Sequence, residues 1–161
     1  MNISNSAAFS ALCEAGAEQI CLSSELTTSE IRNALAGSNR AECMAYGRQR
    51  LMYMENCVIK SAYDCRCKEE SFYLKDRLGV KFPIITENCR NILLNSRPTY
   101  MADKESDIKN LQIDAIRLIF TVENPKLCCI IVDTYKKMLA GESVDACLEE
   151  FTRGHFYRGA Q

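Results

Sequence analysis

The sequence lacks a long apolar run, a low-complexity tract and an excess of charge of either sign. No stretch approaches the roughly 20 apolar residues that a membrane-spanning helix needs, so we expect no membrane span. Its 20 Lys and Arg residues are balanced by 21 Asp and Glu residues, which gives a formal net charge of −1. The overall field therefore does not attract nucleic acid or an anionic membrane, although a local basic groove is compatible with it.

Motifs of the common hydrolases and nucleotide-binding folds are missing too. The chain has no Gly-x-Ser-x-Gly elbow, no His-Glu-x-x-His pair, no P-loop and no dinucleotide fingerprint. Its single histidine, His155, is the one imidazole that could activate a nucleophile. A catalytic Cys–His pair that includes His155 remains an alternative, but no cysteine stands at a spacing that indicates one.

The first residues, MNISNSAAFSALCEAG, carry no positively charged segment ahead of an apolar core. They do not resemble a secretory signal peptide. We therefore expect a reducing, cytoplasmic location, where disulfides rarely persist. Ten cysteines in such a compartment are better interpreted as packing residues plus a metal site.

Short apolar strands alternate with amphipathic helices, which predicts an α/β fold with a parallel sheet. Strands are predicted at 19–23, 42–46, 91–95 and 115–121. Helices are predicted to begin after the capping residues Asn5 or Ser6, Thr27, Asn124 and Ser143. Four or five parallel strands are fewer than the eight that close a (β/α) barrel. The strand count therefore fits either an open sheet or part of a barrel.

Residues 52–90 break this alternation and are interpreted as a Cys-rich insertion within a single domain spanning 1–161. The stretch SFYLKDRLGVKFPII contains two alternating runs around Gly79. Such a pattern predicts a β-hairpin.

Four of the cysteines stand in predicted loops or at element ends, among polar neighbours: Cys57, Cys65, Cys67 and Cys89. Their spacing, C-x7-C-x-C-x21-C, lacks the paired knuckles of a structural zinc site and suits an iron–sulfur cluster held from separate loops. Zinc remains the alternative metal, and reactive or incidental thiols remain the alternative to any metal. Five other cysteines are interpreted as small buried hydrophobic residues: Cys13, Cys21, Cys43, Cys128 and Cys147.

The carboxyl-terminal stretch FTRGHFYRGAQ gathers several residues with chemical potential. His155 is a candidate acid, base or ligand, and Arg153 and Arg158 are candidate partners for a carboxylate or phosphate. Tyr157, between two glycines, is a candidate substrate contact. A loose polar terminus is the simpler alternative.

A second group of candidates follows two predicted strands. Tyr46, Arg48 and Arg50 belong to YGRQRL, and Asn95 and Ser96 follow NILL. Ligands of βα folds bind at the carboxyl ends of parallel strands, so these residues are candidate substrate or anion contacts. Solvated surface charges are the alternative interpretation of the arginines.

Taken in order, these stretches resemble a known family. The segments are NISNSAAFSALCEAGAEQICLSSELTTSEI, YGRQRLMYMENCVIK, FYLKDRLGVKFPI, CRNILLNSRPTYMAD, IRLIFTVE and FTRGHFYRG. They follow one another as in the carboxyl-terminal half of the collagenase-like proteases (peptidase clan U, family 32). The resemblance covers nearly the whole chain.

The resemblance implies a fold, a cofactor and two activities. The fold would be a TIM-like barrel, of which this chain is the carboxyl-terminal part. Family members carry a peptidase label, and several resemble iron–sulfur proteins that hydroxylate RNA bases or a quinone precursor, with prephenate linked to the RNA reactions. Carried over, the ligands of a [4Fe–4S] cluster would be Cys57, Cys65, Cys67 and Cys89, and His155, Arg158 and Arg48 would serve the reaction.

Three functions follow as expectations. The first is an iron–sulfur-dependent hydroxylase acting on RNA bases or a small aromatic ring. The second is a peptidase, and the third is a non-catalytic or zinc-stabilised module. Because the family's amino-terminal strands have no counterpart in this sequence, a second chain that completes the barrel is an expected partner.

Overall fold

The computed structural model describes residues 3–35, 37, 40–62 and 71–158. Helices in these ranges are α1 Ser6–Glu14, α2 Thr28–Ala34, α3 Val58–Ala62, α4 Glu105–Lys109 and α5 Pro125–Leu139. Strands are β1 Ile20–Cys21, β2 Ala41–Gly47, β3 Arg50–Met54, β4 Phe72–Lys75, β5 Lys81–Glu87, β6 Arg90–Leu94, β7 Thr99–Tyr100 and β8 Ala115–Leu118. No helix in the described ranges is long and apolar enough to cross a bilayer.

Side chains at the helix starts explain where three helices begin. The Ala8 N–H donates to Asn5 Oδ1 at 2.9 Å ahead of α1. Ahead of α2, Thr27 and Glu30 form a reciprocal capping box. Asn124 accepts from the Leu127 N–H, and Pro125 occupies the first turn of α5. These three predicted helix starts are confirmed.

The first sheet is built around β2, whose seven residues are all buried. β1 pairs in parallel with the start of β2, and β8 pairs in parallel along Glu42–Tyr46. β7 pairs antiparallel with Tyr46 and Gly47 at the end of β2. Helices α1, α2 and α5 contribute Phe9, Ile31 and Ile131 to the core beside this sheet.

Tyr135 ties α5 to the sheet by polar contacts inside the core. Its hydroxyl donates to the Ala45 carbonyl at 2.6 Å and accepts from the Met101 N–H at 2.9 Å. Its ring is 2 % exposed. Both backbone groups would otherwise be buried without partners, which is expensive in an apolar interior.

The second sheet is antiparallel, with the strand order β3-β6-β5-β4. The predicted hairpin is its β4–β5 unit, in which Asp76 Oδ1 accepts from the N–H groups of Leu78 and Val80 at 2.8 and 2.9 Å. Gly79 occupies the turn with φ +85°. Helix α3 follows β3, and the Val58 N–H donates to Asn91 Oδ1 at 2.7 Å.

The structure corrects two sequence predictions and leaves the partial barrel unconfirmed. The chain is a mixed α/β protein with parallel strands, but the described residues form no closed barrel, and only β1, β2 and β8 run parallel. The predicted strand at 91–95 is β6 of the antiparallel sheet, because a two-residue turn after β5 returns the chain beside itself. The helix expected after Ser143 does not form, since residues 142–150 are irregular.

Candidate functional site

Polar side chains gather where β2 and β8 end. Tyr46 is the next-to-last residue of β2, and its hydroxyl donates to Glu123 Oε1 at 3.2 Å. Glu123 follows β8 and also accepts from the N–H groups of Thr121 and Val122, at 2.6 and 3.0 Å. Its side chain is 2 % exposed. A carboxylate with three donors is thereby fixed at the carboxyl end of the parallel strands.

Arg48 joins this carboxylate to the second sheet. Its Nη1 donates to the Asn95 carbonyl at 3.0 Å and to the Ser96 carbonyl. Its Nε lies 3.8 Å from Glu123 Oε1, and this buried nitrogen has no hydrogen-bond partner within the described residues. Arg48, Asn95 and Ser96 therefore meet, through the two backbone carbonyls rather than through the amide and hydroxyl side chains.

Burial and the neighbouring Glu123 carboxylate raise the pKa of Tyr46 well above its usual value of 10.0. The phenol therefore stays protonated and acts as a hydrogen-bond donor. Glu123 was not among the residues singled out in the sequence. A signal for it existed, since a carboxylate two residues after a strongly predicted strand is placed near the ligand-binding edge of a βα fold.

The carboxyl-terminal segment is packed against this same end of the first sheet. Thr152 bridges Thr99, and the Thr28 N–H donates to the Phe156 carbonyl at 3.0 Å. Gly154 has φ +58°, and a Cβ there would meet Thr99 Oγ1 at 3.1 Å and Gln49 Nε2 at 3.9 Å. The segment is therefore part of the folded domain, which argues against a loose tail.

Within that segment, His155 and its neighbours have different surroundings. His155 is partly exposed, and its Nδ1 lies 3.3 Å from the Arg158 carbonyl. The Arg158 residue itself is exposed. The Tyr157 hydroxyl donates to Asp107 of α4; burial and this carboxylate raise the pKa of Tyr157 to about 12.

Arg153 of the same segment has a structural environment. Its guanidinium holds Asp103 at 2.5 and 2.7 Å, donates to the Tyr100 carbonyl at 2.8 Å and lies 4.5 Å from the centre of the Phe151 ring. The hydrogen bonds from Arg153 lower the pKa of Asp103. With its donors used in this way, Arg153 fastens the segment to the loop after β7.

The Arg50 side chain contacts residues other than those that Arg48 contacts. Its Nη1 donates to the Tyr53 hydroxyl at 3.1 Å, and its Nη2 lies 3.7 Å from Glu87. Both partners belong to the antiparallel sheet, so Arg50 is separated from the Tyr46–Glu123 group by the direction of its side chain.

Of the four predicted metal ligands, Cys57 and Cys89 are described and lie at the same end of the second sheet. Cys57 follows β3, whose last residue, Met54, pairs with Asn91 of β6. Cys89 immediately precedes β6. Glu55 and Arg90, beside the two thiols in sequence, are joined at 2.8 Å. Cys65 and Cys67 lie outside the described residues.

The backbone of Cys89 is unusual. Asn88 and Cys89 connect β5 to β6 with φ of +51° and +61°, and Glu87 pairs with Arg90 across the turn. Two-residue hairpin turns of this kind favour Asn-Gly, because both positions need positive φ. A cysteine at the second position costs roughly 1 kcal/mol relative to a relaxed backbone. The turn geometry thus gives no reason for a thiol there.

The described residues contain no group of three or more His, Cys, Asp or Glu side chains arranged to hold a metal ion. Cys57 is half-buried, Cys89 is exposed, and the Lys60 N–H donates to Cys57 Sγ at 3.4 Å. These two thiols are two of the four that the sequence predicts as metal ligands. An amide N–H on a sulfur is also the type of contact that stabilises a thiolate ligand.

The remaining described thiols have other environments. Cys43 is buried, and desolvation raises its pKa to about 12, so it is a packing residue as expected. Cys147 is exposed and does not lie on a helix, contrary to its interpretation as a buried helical residue. Its Sγ lies 3.5 Å from the Tyr100 hydroxyl.

The chain was also compared with known proteins. Its comparison with models of protein families, with curated proteins and with solved structures found no match. The resemblance to the collagenase-like proteases accordingly stays a prediction from the sequence motifs.

Proposed function

We propose that this chain is the carboxyl-terminal part of a collagenase-like family protein that holds a [4Fe–4S] cluster and modifies RNA bases or a related aromatic ring. The observation that carries the proposal is the position of Cys57 and Cys89 at one end of the antiparallel sheet. The cost of placing Cys89 at a positive-φ turn position supports it, because a residue kept against backbone preference is expected to serve a function.

Under this proposal Cys65 and Cys67 complete the ligand set, and the protein resides in a reducing cytoplasm. Four thiolates match the ligands of a cubane cluster. When bound, a cluster held by four thiolates would supply one-electron transfer. Zinc, the alternative metal, would use the same thiolates for stability alone.

The substrate side of the proposal uses the ends of β2 and β8. Glu123 fixes the Tyr46 hydroxyl and balances the charge of Arg48, so these side chains form a rigid wall. If the Nδ1–H of His155 donates to the Arg158 carbonyl, its Nε2 is left to accept a proton from a substrate. The exposed Arg158 would bind the carboxylate of an anionic co-substrate such as prephenate.

We further propose a TIM-like barrel completed by strands from a second chain. β8 pairs with β2 on one side, and no other strand of the described residues pairs with it. A groove of about 470 Å³ beside it is lined largely by Ile108, Ile113, Ile116 and Leu139. A parallel strand followed by an amphipathic helix would cover both features.

Metal analysis of the full chain tests the cofactor. Anaerobically reconstituted protein should contain iron and acid-labile sulfide in equal amounts, with a broad absorption band that bleaches on reduction. Cys57→Ser and Cys89→Ser should each lose most of the iron. Cys129→Ser is the matched control, because Cys129 is an exposed thiol on α5 and should leave the iron content unchanged.

Two results would overturn the cofactor. Zinc without sulfide would favour the zinc-stabilised module, and colourless, metal-free protein after reconstitution would remove the metal site. Cleavage of gelatin that is lost in His155→Ala would favour the peptidase. Co-purification of a second chain in wild-type protein, abolished by Ile116→Arg in the groove, would support the completed barrel.

A further inference from the structure

The two faces of the antiparallel sheet differ in chemistry. Residues opposite each other on paired strands share a face, so the pairs Tyr53–Ile92, Ile92–Ile85 and Tyr73–Pro83 place both tyrosines on one face. We call it the tyrosine face. The opposite face carries Met52, Phe72, Leu74, Phe82 and Leu93, and none of its strand residues is charged.

Both tyrosine rings on the tyrosine face are accessible. Tyr53 is 66 % exposed and Tyr73 is 49 % exposed. Strand spacing and rise place them about 16 Å apart, across three strand intervals and two residues of offset. Exposed aromatic rings on a sheet, separated by more than one ring width, are suited to stacking of separate bases of one strand.

Basic side chains accompany the tyrosines. Register places Arg50, Lys75, Lys81 and Arg90 on the tyrosine face, and Arg50 approaches the Tyr53 ring at 6.0 Å. The same register places one carboxylate there, Glu87, which lies 3.7 Å from Arg50, so the cations of this face outnumber its carboxylates. Within the described residues, no ion pair involves Lys75 or Lys81. The chain as a whole has a net charge of −1, so this face departs from the average in the direction that attracts phosphate.

The face continues into a cleft of about 440 Å³ next to the polar group at the end of β2. Tyr73 and Lys81 line one side, and Arg48, Ser96 and Arg97 line the other. The cleft therefore leads from the exposed tyrosines to the residues that form the wall of the proposed substrate site.

Carboxylates near these cations do not block an anion. Arg97 and Glu150 are 3.6 Å apart and more than half exposed, as are Arg90 and Glu55 at 2.8 Å. Arg50 and Glu87 lie 3.7 Å apart, with side chains 44 % and 55 % exposed. Exposed pairs of this kind contribute at most about 1 kcal/mol. A phosphate can replace such a carboxylate at little cost, whereas the buried Glu123 stays with Arg48.

We propose that the tyrosine face and the adjoining cleft bind single-stranded RNA, with bases stacked on Tyr53 and Tyr73 and phosphates contacted by Arg50, Lys81 and Arg97. The choice of RNA over DNA rests on the proposed function, since stacking and phosphate contacts alone do not distinguish the two. The surface explains how a chain without an excess of positive charge holds a polyanion.

Fluorescence anisotropy with a labelled single-stranded RNA of about 12 nucleotides tests the surface. Tyr53→Ala and Tyr73→Ala should each weaken binding about tenfold, whereas Tyr53→Phe and Tyr73→Phe should keep most of it, because stacking needs the ring and not the hydroxyl. Urea unfolding midpoints of all variants confirm that they are folded.

A charge pair of variants gives the second readout. Lys81→Glu should weaken binding and lower the slope of log affinity against log salt by about 1 between roughly 50 and 200 mM salt. Lys137→Glu, at an exposed position in the last turn of α5, should change neither. Single-stranded DNA of the same sequence, duplex RNA and inorganic phosphate serve as competitors.

Absence of binding by the wild type, or equal binding by wild type and all Tyr→Ala and Lys81→Glu variants, would overturn the surface. So would equal competition by inorganic phosphate at matched phosphate concentration. Binding is measured on the full chain both before and after iron reconstitution, so failure of the cluster and failure of the RNA surface give separate results. Equal competition by single-stranded DNA would overturn the choice of RNA.

Discussion

The central strand of the first sheet and the edge strand of the second differ in how far their side chains are buried. All seven residues of β2, in the first sheet, are buried. Four of the five residues of β3, which follows after two residues, are exposed. β2 has strands on both edges and helices beside it, whereas β3 is an edge strand of a sheet that exposes side chains on both faces, among them Tyr53 and Met52.

This difference separates the large buried side chains from the accessible thiols and tyrosines. The first sheet holds the large buried side chains, including Phe9, Ile131 and Tyr135. The second sheet presents Cys57, Cys89, Tyr53 and Tyr73 at its end or on its face. Arg48 joins the two by donating from the end of β2 to the carbonyls that follow β6.

The largest expected effect is on the free energy of unfolding, from removing a buried side chain beside the first sheet. Ile131 is 0 % exposed on α5, whereas its neighbour Ile130 is 42 % exposed. Ile131→Ala should lower the free energy of unfolding by roughly 3 kcal/mol, because it leaves a cavity in the core. Ile130→Ala should change it by less than about 0.5 kcal/mol. Urea unfolding checks both, and equal effects would contradict the assigned core.

An intermediate effect is expected at Asp103, whose pKa Arg153 holds below 3.8. A lowered pKa contributes stability above the unfolded-state pKa, and this is lost as pH falls through the folded-state pKa. Asp103→Asn should therefore cost about 1 kcal/mol at pH near 6 and progressively less below pH 4. Urea unfolding across this range checks it. Asp133→Asn, on the exposed side of α5, should show no such dependence.

The smallest expected effect is a gain in the free energy of unfolding, from a substitution in the turn between β5 and β6 of the second sheet. Cys89→Gly should raise the free energy of unfolding by about 0.5 kcal/mol, because glycine relieves the positive φ but gains freedom in the unfolded chain. Cys89→Ala keeps the strain and should give no gain. Urea unfolding under reducing conditions compares the two, and a destabilised glycine variant would show that the thiol itself supports the turn.

Local features of the fold were predictable from the sequence. Asn5, Thr27 and Asn124 cap helices as expected, and the turn around Asp76 and Gly79 forms the expected hairpin. These features depend on hydrogen bonds between residues at most four apart. Their physical cause is therefore contained in a short window of sequence.

Strand direction and the site could not be predicted in the same way. NILL has the same apolar character in a parallel or an antiparallel sheet, and its pairing with β5 and β3 decided the matter. Glu123 was missed because its importance comes from Tyr46 and Arg48, which are more than 70 residues away in the chain. Arg153 likewise acquires its role from Asp103.

The sequence by itself determined where α1, α2 and α5 begin, where the β4–β5 hairpin turns and which residues bear reactive groups, because capping, turn formation and side-chain chemistry are local properties. Only the tertiary structure decided that Cys57 and Cys89 share one end of a sheet, that Tyr53 and Tyr73 share one face, and that Glu123 meets Tyr46. Those relations depend on strand register and on packing between distant segments, where a shift of one residue would turn each side chain to the opposite face.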